Sequence, residues 1–405
     1  MGIEALLDMT SGAVPDRVDC GPATTGRKFA DLARRAAGGA ALIAETGARH
    51  VAYIGVQSEV FPIAVYASAA AGIPITPLNY RLPDSDLAEL IARLDTPVAL
   101  VDPDQRHRVP TGVPILTTGS WFDRAGRTDP ADPPANPSDV AVMLFTSGTT
   151  ARPKGVLLKH EQLMAYVLGG AEFLAAEEGD CALVAVPPYH VAGVASVLSN
   201  TYAARRVVHL SDFGPEAWLD TVRREQVTSA LVVPTMLARV VRRLDGAPAD
   251  VPSLRSLAYG GAKIPASVLE AALAAFPTTD FVNAYGLTET SSTIAVLGPE
   301  DHRAAVTSDD PAVRRRLASA GRPLPGVELS IRDRDGHETG DGEPGELWVR
   351  GPQVSGEYAD LGSTLDADGW FPTRDLAWLD AGGYLFIEGR GVDTIVRGGE
   401  NIAPA

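Results

Sequence analysis

Along the first hundred residues the hydrophobic positions come in short runs, separated by polar, glycine-bearing and proline-bearing turns. Residues 50–56 read as a buried strand, 59–71 as an apolar helix and 75–79 as a second strand. Asp84 and Ser85 open a helix through Leu94, with Leu87, Leu90, Ile91 and Leu94 at helical spacing, and 97–101 is another buried strand. Such alternation predicts a largely parallel sheet covered on both faces. Residues 123–139, rich in Pro, Asp and Ala, read as a linker. Beyond it, 140–145 is an apolar strand and 160–176 a helix. A second alternating block follows, with strands at 182–186, 206–210, 229–233, 254–259 and 281–284 and helices at 194–204, 215–226, 236–244 and 265–276. From about Gly326 the rhythm changes to short alternating strands at 327–332, 346–350, 376–380 and 384–388, the last two flanking the hairpin signal Ala381-Gly382-Gly383. The pattern predicts an α/β protein. Two stacked, doubly wound αβ subdomains (about 1–130 and 131–320) are expected to precede a small antiparallel β-barrel or sheet (about 321–390).

Composition narrows the function classes. The chain has 405 residues, 45% hydrophobic and 21% charged, which suits an ordinary globular protein rather than a disordered one. A net charge of −16 argues against nucleic acid as a partner, because a phosphate backbone requires a basic surface. Cys20 and Cys181 give no disulfide framework, and the seven histidines show no paired metal-ligand spacing. The start of the chain lacks a basic region followed by an apolar core, and the apolar stretch 182–198 is broken by Pro187, Pro188 and His190. Neither an export signal nor a membrane span is expected, and cytoplasm is the default location.

The densest chemistry lies just after the apolar run 140–145. Within 146–155 stand four hydroxyls (Thr146, Ser147, Thr149, Thr150), two glycines (Gly148, Gly155) and two cations (Arg152, Lys154). Consecutive backbone N–H groups with hydroxyls can cradle an anion, and a lysine supplies a mobile charge for phosphate oxygens. A Ser/Thr/Gly-rich surface loop is the bland alternative. A Walker loop fails on detail, since Lys154 is followed by Gly155-Val156-Leu157-Leu158, a strand-like run, and no helix begins there. The stretch Phe145–Val156 resembles the phosphate-binding signature of the adenylate-forming superfamily, which includes acyl-CoA synthetases, adenylation domains and luciferases.

Other segments fit that resemblance. Tyr285-Gly286-Leu287-Thr288-Glu289 follows a predicted strand, where α/β sheets hold ligands. Read alone, it could be a strand-end turn with a solvated Glu289. The resemblance implies Tyr285 stacking on adenine beside Gly286, Thr288 near the α-phosphate and Glu289 binding the Mg²⁺ of ATP. Gly260, Gly261 and Ala262 would lie on the adenine and acyl side, although a plain strand-to-helix turn explains them nearly as well. Asp375 and Arg390 could form a surface ion pair; the resemblance makes both ribose contacts. It also places His190 beside the carboxylate being activated. The acid pocket would draw on His190–Val194, Val233–Leu237, Tyr259–Lys263 and Ala284–Val296, including Val194, Gly261 and Ala284. These are mostly small and apolar, which favours an aliphatic or aromatic acid over a charged diacid.

The resemblance implies a ligase that joins a carboxylic acid to AMP from MgATP and then to the thiol of CoA. Lys154, Thr288, Glu289 and His190 would serve the chemistry. Three positions depart from the usual pattern: Ala151 and Arg374 stand where glycine is common, and Val392 stands where the hinge usually carries Asp or Lys. Residues 391–405 resemble the hinge and the opening of the family's small C-terminal domain, whose catalytic lysine the sequence does not reach. Poor activity of this chain is therefore expected. A non-catalytic nucleotide or acyl-adenylate binding module, and a ligase delivering to a carrier protein, are the alternative readings.

Overall fold

A computed structural model of the chain describes residues 2–146, 152–390, 395–397 and 400–402. Its residues divide into two compact units, Met1–Phe145 with Gly155–Asp212, and Thr146–Lys154 with Phe213–Ala405.

In the first unit, strands run in the order Lys154–Lys159, Val140–Thr146, Ile75–Pro77, His50–Ile54, Pro97–Val101, Ile115–Thr117. The inner pairings are parallel, with Val51 opposite Ile75 and Val98, and Ile75 opposite Val142. His50–Ile54 is buried along its whole length, as expected of a strand covered on both faces. The covering helix Val60–Ala70 is apolar all round, and every residue from Phe61 to Ala69 is buried. A second parallel set, Cys181–Val184, Arg206–His209 and Val18–Cys20, is connected through the helix Val191–Tyr202. The helix predicted over 160–176 stops at Gly170. Two successive glycines there lower helix stability by about 1 kcal/mol each relative to alanine.

The second unit repeats the alternation. Parallel strands Ser229–Val232, Ser256–Gly260 and Asp280–Leu287 are followed by the antiparallel strand Ser292–Leu297. The strand expected over 281–284 is therefore longer, because its antiparallel partner extends pairing through Leu287. Of the two forms expected after Gly326, barrel or sheet, the described residues form a sheet. Its antiparallel strands stand in the order Glu328–Arg332, Gly345–Arg350, Phe371–Leu379, Leu385–Arg390. Leu287, Ile294, Val327, Ile331, Leu347, Val349, Phe371 and Leu385 belong to one apolar core that unites the 280–297 hairpin with this sheet. No helix among the described residues is long and apolar enough to cross a membrane.

Candidate active site

The strand Phe371–Leu379 alternates strictly enough to put Phe371, Thr373, Asp375 and Ala377 on the buried face. A carboxylate on a core face must find donors, because a buried unpaired charge costs several kcal/mol. Asp375 finds two. Its Oδ2 accepts from the Tyr285 hydroxyl at 2.5 Å, and its Oδ1 accepts from Arg390 Nε at 3.0 Å. Arg390 is its cross-strand neighbour in register. The Asp375 side chain is only 7% exposed, so the surface ion pair allowed by the sequence is instead a buried one. Thr373 fixes the approach: its hydroxyl donates to the Leu347 carbonyl at 2.7 Å and accepts from the Asp375 N–H at 3.1 Å. Burial, and then the Asp375 carboxylate, hold the Tyr285 hydroxyl well above the ordinary tyrosine range, so it stays protonated and donates.

Between those anchors, Arg374 has φ of 65° and an exposed side chain, with its N–H donating to Glu346 Oε1 at 3.2 Å. The left-handed region is unfavourable for any residue with a Cβ, which is why glycine is common at such positions. Arg374→Gly is expected to raise stability by about 1 kcal/mol. A lower urea midpoint for the variant would contradict this.

Tyr285, Gly286 and Leu287 lie within the strand rather than after it, and the turn Thr288–Thr290 follows directly. Pairing shifts register between Tyr285 and Gly286. Thr290, fully buried, ties the turn closed: its Oγ1 accepts from the Leu287 N–H at 3.0 Å and donates to the Ser292 carbonyl at 2.8 Å. Glu289 projects from this turn, and its Oε1 accepts from the Tyr358 hydroxyl at 2.9 Å. Lys154 Nζ stands 5.6 Å from the centroid of the same tyrosine ring. Tyr358 belongs to no motif in the sequence; only its contact with the distant turn that carries Glu289 reveals it.

The second unit thus brings together Lys154, Glu289, Tyr285, Asp375 and Arg390 through Tyr358 on one side and the buried carboxylate on the other. Gly260 ends its strand, and Gly261, exposed with φ of 78°, turns the chain ahead of Ala262. Ala284 is half-buried on the strand that carries Tyr285. Thr146 ends the strand Val140–Thr146, and Lys154 opens the strand Lys154–Lys159, so the loop joins two strands with no helix at its exit. Ser147, Gly148, Thr149, Thr150 and Ala151 lie outside the described residues, as does Val392. His190 and Val194 belong to the first unit, at the start of the helix Val191–Tyr202, where Val194 is fully buried. Burial, and then the charge of Arg81, lower the His190 imidazole to about 4, so it is neutral at physiological pH.

Each of these groups suits a different part of a nucleotide: an ammonium for phosphate, a carboxylate for the cation that accompanies it, an aromatic ring and a buried acid for the nucleoside. The fold is that of an α/β protein, and the groups gathered in its second unit are of the kinds a nucleotide requires. The chain belongs to the AMP-binding enzyme family, which it matches over residues 13–359. It is 31% identical over 372 residues to a fatty acid–acyl-carrier-protein ligase of Streptomyces coeruleorubidus, covering 88% of this chain and 70% of that protein. It is 32% identical over 395 residues to a feruloyl-CoA synthase of Amycolatopsis, covering 94% and 77%. Among solved structures, o-succinylbenzoate CoA synthetase of Bacillus subtilis in complex with ATP and magnesium ion superposes with a TM-score of 0.79 at 26% identity, covering 98% of this chain and 82% of the other.

Proposed function

We propose that this chain activates a carboxylic acid with MgATP and transfers the acyl group to the thiol of CoA. In the first step a carboxylate oxygen attacks the α-phosphorus, the bond to the β-phosphate breaks, and acyl-adenylate and pyrophosphate form. In the second the thiol attacks the acyl carbon and AMP leaves. Both reactants of the first step are anions, so fixed positive charge and donors must face the developing charge. Lys154, Thr146 and the loop Ser147, Gly148, Thr149 and Thr150 hold the phosphates in this reading, with Thr288 at the α-phosphate. Glu289 suits magnesium because a carboxylate is a hard oxygen ligand and, among the described residues, only its Oε1 accepts a side-chain hydrogen bond. Glu289 would hold the ion where it could offset the charge of the phosphate oxygens. Tyr285, Gly286, Gly260, Gly261 and Ala262 bracket the adenine, and Asp375 with Arg390 holds the ribose. Of the residues that the resemblance assigns to the acid, Gly261 and Ala284 lie in the second unit, and the neutral imidazole of His190 offers hydrogen bonding rather than a charge. We place the reaction in the cytoplasm, where ATP and CoA are held.

The observation that carries this reading is the contact of Lys154 and Glu289 with one tyrosine: the groups suited to phosphate and to its metal are neighbours. Pyrophosphate release from MgATP over a panel of carboxylic acids tests it. Aliphatic or aromatic monoacids are expected to stimulate release, and charged diacids to do so less. Release that is indifferent to every acid would sink the proposal. The similarity to an acyl-carrier-protein ligase favours a second reading for the acceptor alone. Supplying CoA or a pantetheinylated carrier protein to the preformed acyl-adenylate separates the two.

A further inference from the structure

Residues 353–358 lie outside every motif considered so far, yet they hold the turn carrying Glu289 at three levels. Gln353 Nε2 donates to the carbonyls of Thr290 and Thr293 at 2.9 and 2.8 Å. The N–H groups of Ser355 and Gly356 donate to the Glu289 carbonyl at 2.8 and 3.3 Å. The Tyr358 hydroxyl then reaches the Glu289 carboxylate itself, at 2.9 Å. Gln353 and Ser355 are 4% and 3% exposed, so these polar groups sit where unmade hydrogen bonds are costly and made ones are rigid.

The turn needs holding. Ser291 and Ser292, immediately after Thr290, have φ of 55° and 109°, and neither is glycine. Backbone in such regions is strained for a residue with a Cβ and persists only where the surroundings over-determine it. Strain of that kind, next to a carboxylate, points to a side chain held in place for a task.

We propose that residues 353–358 form a clasp that positions Glu289, and that Tyr358 is the positioning residue that sets the rotation of its carboxylate so that one oxygen is left for a divalent cation. The inference rests on the reading of Glu289 as the metal-binding carboxylate of the nucleotide site. Tyr358 serves a second purpose through its ring. Lys154 rests on the aromatic face, and among the described residues it forms no ion pair with Glu289. A cation satisfied by a ring leaves the carboxylate unneutralised for the metal.

The test is a calorimetric titration of the full chain with ATP, at a series of Mg²⁺ concentrations and without Mg²⁺, for the wild type, Tyr358→Phe and Glu289→Gln. Tyr358→Phe removes one oxygen atom and keeps the ring beneath Lys154. It is expected to weaken the apparent Mg²⁺ affinity about tenfold, in line with losses on removing a group that orients a metal ligand. Metal-free ATP affinity is expected to stay unchanged, which a merely structural defect would not allow. Glu289→Gln is expected to lose the Mg²⁺ dependence. Loss in Glu289→Gln with Tyr358→Phe within about twofold of wild type overturns the clasp and leaves the metal reading standing. Full Mg²⁺ dependence in Glu289→Gln overturns the metal reading, and the clasp with it.

Discussion

Asp375→Ala is expected to abolish measurable ATP binding and to destabilise the chain by about 2 kcal/mol, while leaving it folded. The stability loss has two sources. The substitution removes the acceptor for the Tyr285 hydroxyl, and a buried donor left without a partner costs about 1–3 kcal/mol. It also removes the counter-charge of Arg390, but that side chain is 29% exposed and water replaces much of what is lost. The binding loss is larger because the same carboxylate holds the Tyr285 ring in place and is the group suited to the ribose hydroxyls. A drop in ATP affinity of about a hundredfold, near 2.7 kcal/mol, is the minimum expected. Asp375→Asn keeps an acceptor for Tyr285 and loses the charge, so it should retain most of the stability and little of the affinity. Urea unfolding and calorimetric ATP titration read the two effects separately. Undiminished ATP binding by Asp375→Ala would show that the ribose assignment is wrong.

Gly286→Ala is expected to be more damaging to the fold than its single methyl suggests. A Cβ placed on Gly286 would lie 1.9 Å from the Ser292 carbonyl oxygen and 2.8 Å from Thr293 Cα. The obstructing atoms are backbone, so no side chain can swing aside. The hairpin must open where its register already shifts, next to Tyr285, and the Thr290 hydroxyl must release Ser292. Overpacking of this kind costs about 3 kcal/mol, and it displaces Tyr285 and Glu289 together. A fall in the urea midpoint accompanied by loss of ATP binding is the expected result. A variant with wild-type stability would show that the strands separate there without cost.

Much of the architecture was legible because burial writes itself into local pattern. The strands His50–Ile54 and Pro97–Val101 and the helix Val60–Ala70 are apolar runs of the right length, bounded by turn residues. Ends set by distant partners were not legible. The strand expected over 281–284 continues to Leu287 because Ser292–Leu297 folds back on it. The strand expected over 376–380 begins at Phe371, and its inward positions include Thr373 and Asp375, polar residues that hide the alternation. The candidate site divides in the same way. Lys154, Tyr285, Glu289, Asp375 and Arg390 could be picked out as residues suited to a nucleotide. The Tyr285–Asp375 hydrogen bond spans ninety positions, and Tyr358 meets Glu289 across sixty-nine, so neither contact leaves a trace in local sequence.

The central claim is that Lys154, Thr288, Glu289, Tyr285, Asp375 and Arg390 direct a carboxylate to the α-phosphorus of ATP. Identifying the nucleotide product tests it most directly, because attack at that atom releases AMP and pyrophosphate, whereas attack at the γ-phosphorus releases ADP. The chain is incubated with MgATP, an activating carboxylic acid and CoA, and the nucleotides are separated by chromatography. The predicted result is AMP formed one for one with acyl thioester, dependent on the acid and lost in Asp375→Ala. ADP as the product, or AMP formed at the same rate without the acid, would contradict it.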